Sequence, residues 1–120
     1  MKKILVIDDV PESRDIFTSL LEDSYQVLEA GDGKEGLELA EKEIPDMIFL
    51  DVSMPEMGGL ELISALRRHE TLYRIPVVAI TAHSLFSAKK AVEKGCNDFL
   101  LKPLDPNKVM QKITQWLGEG

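Results

Sequence analysis

The sequence predicts an α/β fold, (βα)5, with a parallel five-stranded sheet in the order 2-1-3-4-5 and helices on both faces. Three observations predict it. Four short runs of aliphatic and β-branched residues do not alternate with polar ones, as strands covered on both faces require. Helical periodicities occupy the intervals between the runs. A fifth, more mixed run falls second in the chain and suits an edge.

The elements follow in chain order. Strand one is Ile4-Leu5-Val6-Ile7, and Ile16, Phe17, Leu20 and Leu21 share a face of the next helix. Tyr25-Gln26-Val27-Leu28-Glu29-Ala30 is the edge strand, followed by a helix carrying Leu37, Ala40 and Ile44 on one face. Strand three is Met47-Ile48-Phe49-Leu50, and Leu62, Ile63 and Leu66 mark helix three. Strand four is Val77-Val78-Ala79-Ile80, with Ala88, Ala91 and Val92 on a shorter helix. Phe99-Leu100-Leu101 is strand five, and Val109, Ile113, Trp116 and Leu117 mark helix five, opened by Asp105 as N-cap and Pro106 as first helical residue. The alternation implies right-handed crossovers and a three-layer sandwich. With the second strand at an edge, the chain must pass back over strand one to reach strand three. That puts a switch point between strands one and three, where open α/β sheets bind ligands at the carboxyl ends.

Composition narrows the function classes. A chain of 120 residues with 44% hydrophobic and 29% charged residues suits one domain that needs no disulfide. Its net charge of −7 argues against nucleic acid and for cations or a basic partner. Cys96 is the single cysteine, which excludes an intrachain disulfide and a cysteine zinc cluster. It reads as a small core residue in a reducing, cytoplasmic protein. The N-terminal apolar run stops at Ile7, too short for a signal peptide or a membrane span.

Each buried run ends in a polar residue on what must be a single rim. Strand one meets Asp8-Asp9, strand three Asp51, strand four Thr81 and strand five Lys102. One strand-end aspartate is ordinarily just solvated. Five polar groups on one rim at a switch point call for a ligand. Two carboxylates ~5 Å apart at an effective dielectric of ~20 repel by roughly 3 kcal/mol, which a divalent cation relieves. An all-oxygen donor set that leaves room for water suits Mg²⁺ over Ca²⁺, and no His or Cys stands at zinc spacing. Lys102 and the Thr81 hydroxyl suit phosphoryl oxygens. A nucleophilic aspartate, Mg²⁺ and a lysine are the parts of phosphoryl transfer.

These residues, with Asp51-Val52-Ser53-Met54-Pro55, Gly58-Gly59, Ile80-Thr81-Ala82 and Leu101-Lys102-Pro103, make the sequence resemble the receiver domains of two-component response regulators. The resemblance covers essentially the whole chain, 1–120, as one receiver domain, and implies the flavodoxin-like strand order 2-1-3-4-5. It implies Asp51 as phosphoacceptor from a phosphohistidine. It implies Asp9, Asp51 and the Ser53 backbone carbonyl as Mg²⁺ ligands, with Asp8 acting through metal-bound water. Thr81 and Lys102 become phosphoryl contacts, and Lys102-Pro103 is expected to be cis. Phe99 is expected to turn inward on phosphorylation and change the face formed by helix four, strand five and helix five. Ser53 and His83 would tune the lifetime of the phosphoryl group. The implied partners are a sensor histidine kinase or histidine phosphotransfer protein and a downstream protein target, with no membrane or nucleic acid, and the chain a monomer. Such a chain is no stand-alone enzyme, though it assists its own phosphorylation and dephosphorylation.

Two departures qualify the resemblance. Gly58-Gly59 replaces an Asp-Gly, which weakens the cap of helix three by a few tenths of a kcal/mol. The Ser84–Ser87 stretch is one residue short, leaving the start of helix four open. Other readings remain. An aspartate-nucleophile phosphatase of the haloacid-dehalogenase type would carry an acid two residues after Asp51, where Ser53 stands. A flavin binder would need a phosphate loop where Asp8-Asp9-Val10-Pro11-Glu12 is acidic. A receiver acting only as a docking module would not need the rim set at all. The chain ends soon after helix five, so the expectation is a regulator signalling by direct contact or a receiver excised from a longer protein.

Overall fold

The computed structural model describes residues 1–53, 58–82 and 85–118. Five strands alternate with five helices: β1 (Lys3–Ile7), α1 (Pro11–Leu21), β2 (Gln26–Ala30), α2 (Gly33–Glu43), β3 (Met47–Asp51), α3 (Gly59–Arg68), β4 (Val77–Thr81), α4 (Leu85–Lys94), β5 (Asp98–Leu101) and α5 (Pro106–Leu117). All strand pairs are parallel and the order is β2-β1-β3-β4-β5, as the weak second strand predicts. Among the described residues no helix is long and apolar enough to cross a membrane.

Successive strand residues point to opposite faces, so each buried strand feeds two cores. Ile4, Val6, Met47, Phe49, Val78, Ile80 and Leu100 pack under Phe17 and Leu21 of α1 and Val109 and Ile113 of α5. Leu5, Ile7, Ile48, Leu50, Val77 and Ala79 pack under Ala40 of α2, Leu62, Ile63 and Leu66 of α3, and Ala91 of α4. Phe17 and Phe49 lie tilted, with ring centroids 4.9 Å apart. Cys96 is buried in the second core and its thiol donates to the Asp98 carbonyl at 3.3 Å. Burial pushes that thiol's pKa up, which fits a packing role.

Several apolar residues depart from the expected burial. Ile16 is half exposed, because it lies about 100° round α1 from Phe17, which takes the inward direction. Ile44 is not on the buried face of α2. It is the C-cap, left-handed at φ 47°, and the helix stop turns its side chain outward. Val92 is exposed beside buried Ala91. β5 is not covered on both faces: it is the second sheet edge, and Leu101 is 43% exposed while Leu100 is buried. Asp105 and Pro106 open α5 as expected, with the Asp105 carboxylate accepting from Asn107 N at 2.9 Å. Helix four begins at Leu85.

Candidate functional site

Register brings the polar strand ends together. Ile7 pairs with Leu50, so Asp8 follows β1 next to Asp51 at the end of β3. Thr81 pairs with Leu101, and Lys102 N donates to Thr81 O at 2.9 Å, which sets the lysine one residue beyond Thr81 on the same rim. The Lys102-Pro103 bond is cis. Asp8, Asp51 and Thr81 are buried, while Asp9 is exposed.

Carboxylate oxygens of Asp8, Asp9 and Asp51 all lie within 4.8 Å of one another. Lys102 Nζ donates to Asp51 Oδ2 at 3.0 Å and stands 3.8 Å from Asp8 Oδ2. Asp51 Oδ1 accepts from Ser53 N at 2.7 Å, and Asp8 Oδ1 from Val10 N at 2.9 Å. Asp8 Oδ2 is buried with no hydrogen-bond partner among the described residues.

The electrostatics follow from this crowding. Burial holds the Asp8 carboxyl above its ordinary range, and the charges of Asp51 and Asp9 add to that, against the Val10 N–H and Lys102. Burial works to lower Lys102, but the hydrogen bond and charge of Asp51, with Asp8 and Asp9, outweigh it and raise the ammonium's pKa. Lys102 is the cation seen against these three carboxylates among the described residues, and the rim stays acidic. A buried carboxylate oxygen with no hydrogen bond among the described residues, within reach of two others and sharing one lysine with them, is an arrangement that a further cation would stabilise. Its all-carboxylate donors fit a hard divalent ion such as Mg²⁺.

The other expected residues are placed as follows. Ser53 is exposed next to Asp51. Thr81 is wholly buried at the end of β4, and a cavity of ≈ 100 Å³ lined by Ser53, Thr81, Ser87 and Lys90 adjoins it. Phe99 is half-buried against the α2–α3–α4 core and also lines a groove of ≈ 330 Å³ between β5 and α5. His83 lies outside the described residues.

Two contacts were not expected from sequence. Arg14 Nη1 donates to the Asp8 carbonyl at 2.6 Å, and Arg14 Nε to Glu29 Oε1 at 3.2 Å. Gly59 approaches the β3 end so closely that a Cβ there would meet Val52 Cα at 2.5 Å and Asp51 O at 3.0 Å. The Arg14 contact joins three elements, and no spacing in the chain announces it. The Gly58-Gly59 pair did carry a signal for the second, although only as a helix cap.

Comparison with known proteins agrees with this geometry. A family model described as the response regulator receiver domain matches residues 4–114. The polar-differentiation response regulator DivK of Brucella ovis is 31% identical, over 99% of this chain and 98% of its own length. The chemotaxis protein CheY4 of Vibrio cholerae superposes with a TM-score of 0.90 at 30% identity, covering 97% of this chain and 98% of that one. The receiver domain of the sensor histidine kinase PA1611 from Pseudomonas aeruginosa, solved with a magnesium ion coordinated in its active-site cleft, gives a TM-score of 0.90 at 27% identity, with 98% of each chain covered.

Proposed function

The chain belongs to the response regulator receiver family, the phosphoacceptor switches of two-component signalling, and on that premise we propose that Asp51 takes the phosphoryl group. The observation that carries this reading is the rim itself. Three carboxylates lie within 4.8 Å, with Lys102 Nζ 3.0 Å from Asp51.

Asp8, Asp9 and Asp51 would hold Mg²⁺, with the Ser53 backbone carbonyl as a further ligand. Bound there, Mg²⁺ supplies positive charge that screens the cluster and the incoming phosphoryl oxygens. A carboxylate oxygen of Asp51 attacks the phosphorus of a phosphohistidine in line. The P–O bond forms as the P–N bond breaks, and the imidazole leaves as the free base or takes a proton from solvent. Lys102 moves from the Asp51 carboxylate to a phosphoryl oxygen, and the Thr81 hydroxyl donates to another. The chain assists its own phosphorylation and the later hydrolysis of the acyl phosphate, whose lifetime Ser53 and His83 adjust.

Receiver domains interact with kinases and downstream targets. Here the donor would be a sensor histidine kinase or a histidine phosphotransfer protein. The output face would be α4, β5 and α5, with Phe99 as the side chain that changes packing. The exposed Leu101 edge and the groove beside Phe99 support that choice. Incubation with Mg²⁺ and acetyl phosphate, read by intact mass, tests the acceptor. One phosphoryl group should add to the wild type and none to Asp51→Asn. A gain retained in Asp51→Asn, or no gain in the wild type, overturns it.

A further inference from the structure

Asp8 is held at nearly every polar atom. Its N–H donates to Ala30 O at 3.0 Å, its Oδ1 accepts from Val10 N, and its carbonyl accepts from Arg14 at 2.6 Å. Only Oδ2, 3.8 Å from Lys102 Nζ, lacks a hydrogen bond among the described residues. The carbonyl that Arg14 grips belongs to the same peptide unit as the Asp9 N–H. That plane sets the direction in which the chain carries Asp9 away from the buried Asp8.

A bare guanidinium beside a cation site would repel the cation. This one is compensated. Glu29 on β2 accepts from Arg14 Nε through Oε1, and from Thr18 Oγ1 at 3.1 Å through Oε2. Arg14 and Thr18 are one turn apart on α1, so a single carboxylate spans both. The Arg14 side chain is only 20% exposed. Its planar fork donates to Asp8 O and to Glu29 at once, which an ammonium point charge does not reproduce.

We propose that Arg14 is a positioning residue for metal binding: by gripping the Asp8 carbonyl it fixes the Asp8-Asp9 peptide so that both carboxylates stay within reach of Asp51. Glu29 orients the guanidinium and offsets its charge, so the contact acts through geometry. This role rests on Asp8, Asp9 and Asp51 holding Mg²⁺. Groups that orient metal ligands commonly cost 10–100-fold in affinity when removed.

The test is calorimetric titration of the full chain with Mg²⁺ alone, beside urea unfolding in EDTA. Arg14→Gln should weaken Mg²⁺ binding about 10-fold, and Arg14→Lys should recover only part of that loss. At saturating Mg²⁺, phosphorylation of Arg14→Gln by acetyl phosphate should return to the wild-type rate, because chemistry at Asp51 is intact. A purely structural role would lower the urea midpoint in EDTA and leave the Mg²⁺ affinity of the folded protein unchanged, and that result overturns the proposal. Should Arg14→Gln not fold, Glu29→Gln serves instead. It should weaken Mg²⁺ roughly threefold by loosening the fork and exposing its charge, and wild-type affinity there also overturns the role. Asp9→Asn separates the two readings. Wild-type Mg²⁺ binding in Asp9→Asn removes the metal site and the Arg14 role with it. Lost binding there, with wild-type affinity in Arg14→Gln, removes the Arg14 role alone.

Discussion

Lys102 Nζ lies 3.0 Å from Asp51 Oδ2 and 3.8 Å from Asp8 Oδ2, so one ammonium group serves both buried carboxylates of the rim. The lysine is therefore both a stabilising partner and a competitor of any metal ion. Lys102→Met should lose about 1–3 kcal/mol in EDTA, since it leaves two buried carboxylates without their cation. The same variant should bind Mg²⁺ more tightly and yet accept phosphoryl groups more slowly. Urea melts with and without Mg²⁺, together with a phosphorylation time course, check all three. Stability unchanged in EDTA would contradict the assigned pairing.

Gly59 decides how closely α3 approaches the end of β3. Gly59→Ala puts a Cβ 2.5 Å from Val52 Cα, which is backbone and has no rotamer through which to yield. The start of α3 or the turn after Asp51 must shift. A destabilisation of about 1–3 kcal/mol is expected, with slower phosphoryl uptake. Gly58→Ala serves as the control, because among the described residues nothing lies within 4 Å of a Cβ there.

Asp98 governs part of the acid limb. Its Oδ2 is 2.8 Å from Lys112 Nζ and accepts from Trp116 Nε1 at 3.2 Å, and its Oδ1 accepts from Phe99 N at 2.8 Å. Burial works to raise its pKa, but Lys112, the Phe99 N–H and Trp116 outweigh it and hold the carboxyl below its ordinary value. The unfolded chain then binds more protons in the window between the two values. Stability is present above the unfolded carboxylate value and is lost as pH falls through the lower folded one. Asp98→Asn should flatten that part of the profile, measured by urea unfolding between about pH 5 and pH 2. Trp116, the single tryptophan, should report the same titration by fluorescence in the wild type.

Arg67 binds the opposite end of the sheet together. Its guanidinium donates to Gly95 O at 2.7 Å, Tyr73 O at 3.0 Å, Ile75 O at 2.8 Å and Asn97 Oδ1 at 2.7 Å. Asn97 Oδ1 also accepts from Val77 N at 2.9 Å. Arg67→Met keeps the aliphatic stem and strands these acceptors, at a cost of about 2–4 kcal/mol. Phosphoryl uptake in the folded variant should match the wild type, because the clasp sits at the amino ends of the strands and Asp51 at the carboxyl ends. A changed uptake rate would show coupling across the sheet.

The sequence by itself determined the architecture. Uninterrupted apolar runs predict strands covered twice, which holds for β1, β3 and β4 but not for the edge strand β5, and the mixed run at Gln26–Ala30 predicts an edge. Together they order the sheet and put Asp8, Asp9, Asp51, Thr81 and Lys102 on one rim, since every parallel strand ends on the same side. Burial along single helices was less legible, as Ile16, Ile44 and Val92 show. Hydropathy tells which residues can be buried, not which of two neighbours faces inward or where a helix stops. Only the tertiary structure decided that Lys102 pairs with Asp51, that Asp8 Oδ2 has no hydrogen bond among the described residues, that Gly59 touches Val52, and that Arg14 reaches from α1 to the Asp8 carbonyl under the hold of Glu29. These relations join residues from different elements, and their distances depend on how helices seat on the sheet. Side-chain periodicity within an element carries no information about that seating, because it is settled by packing between layers.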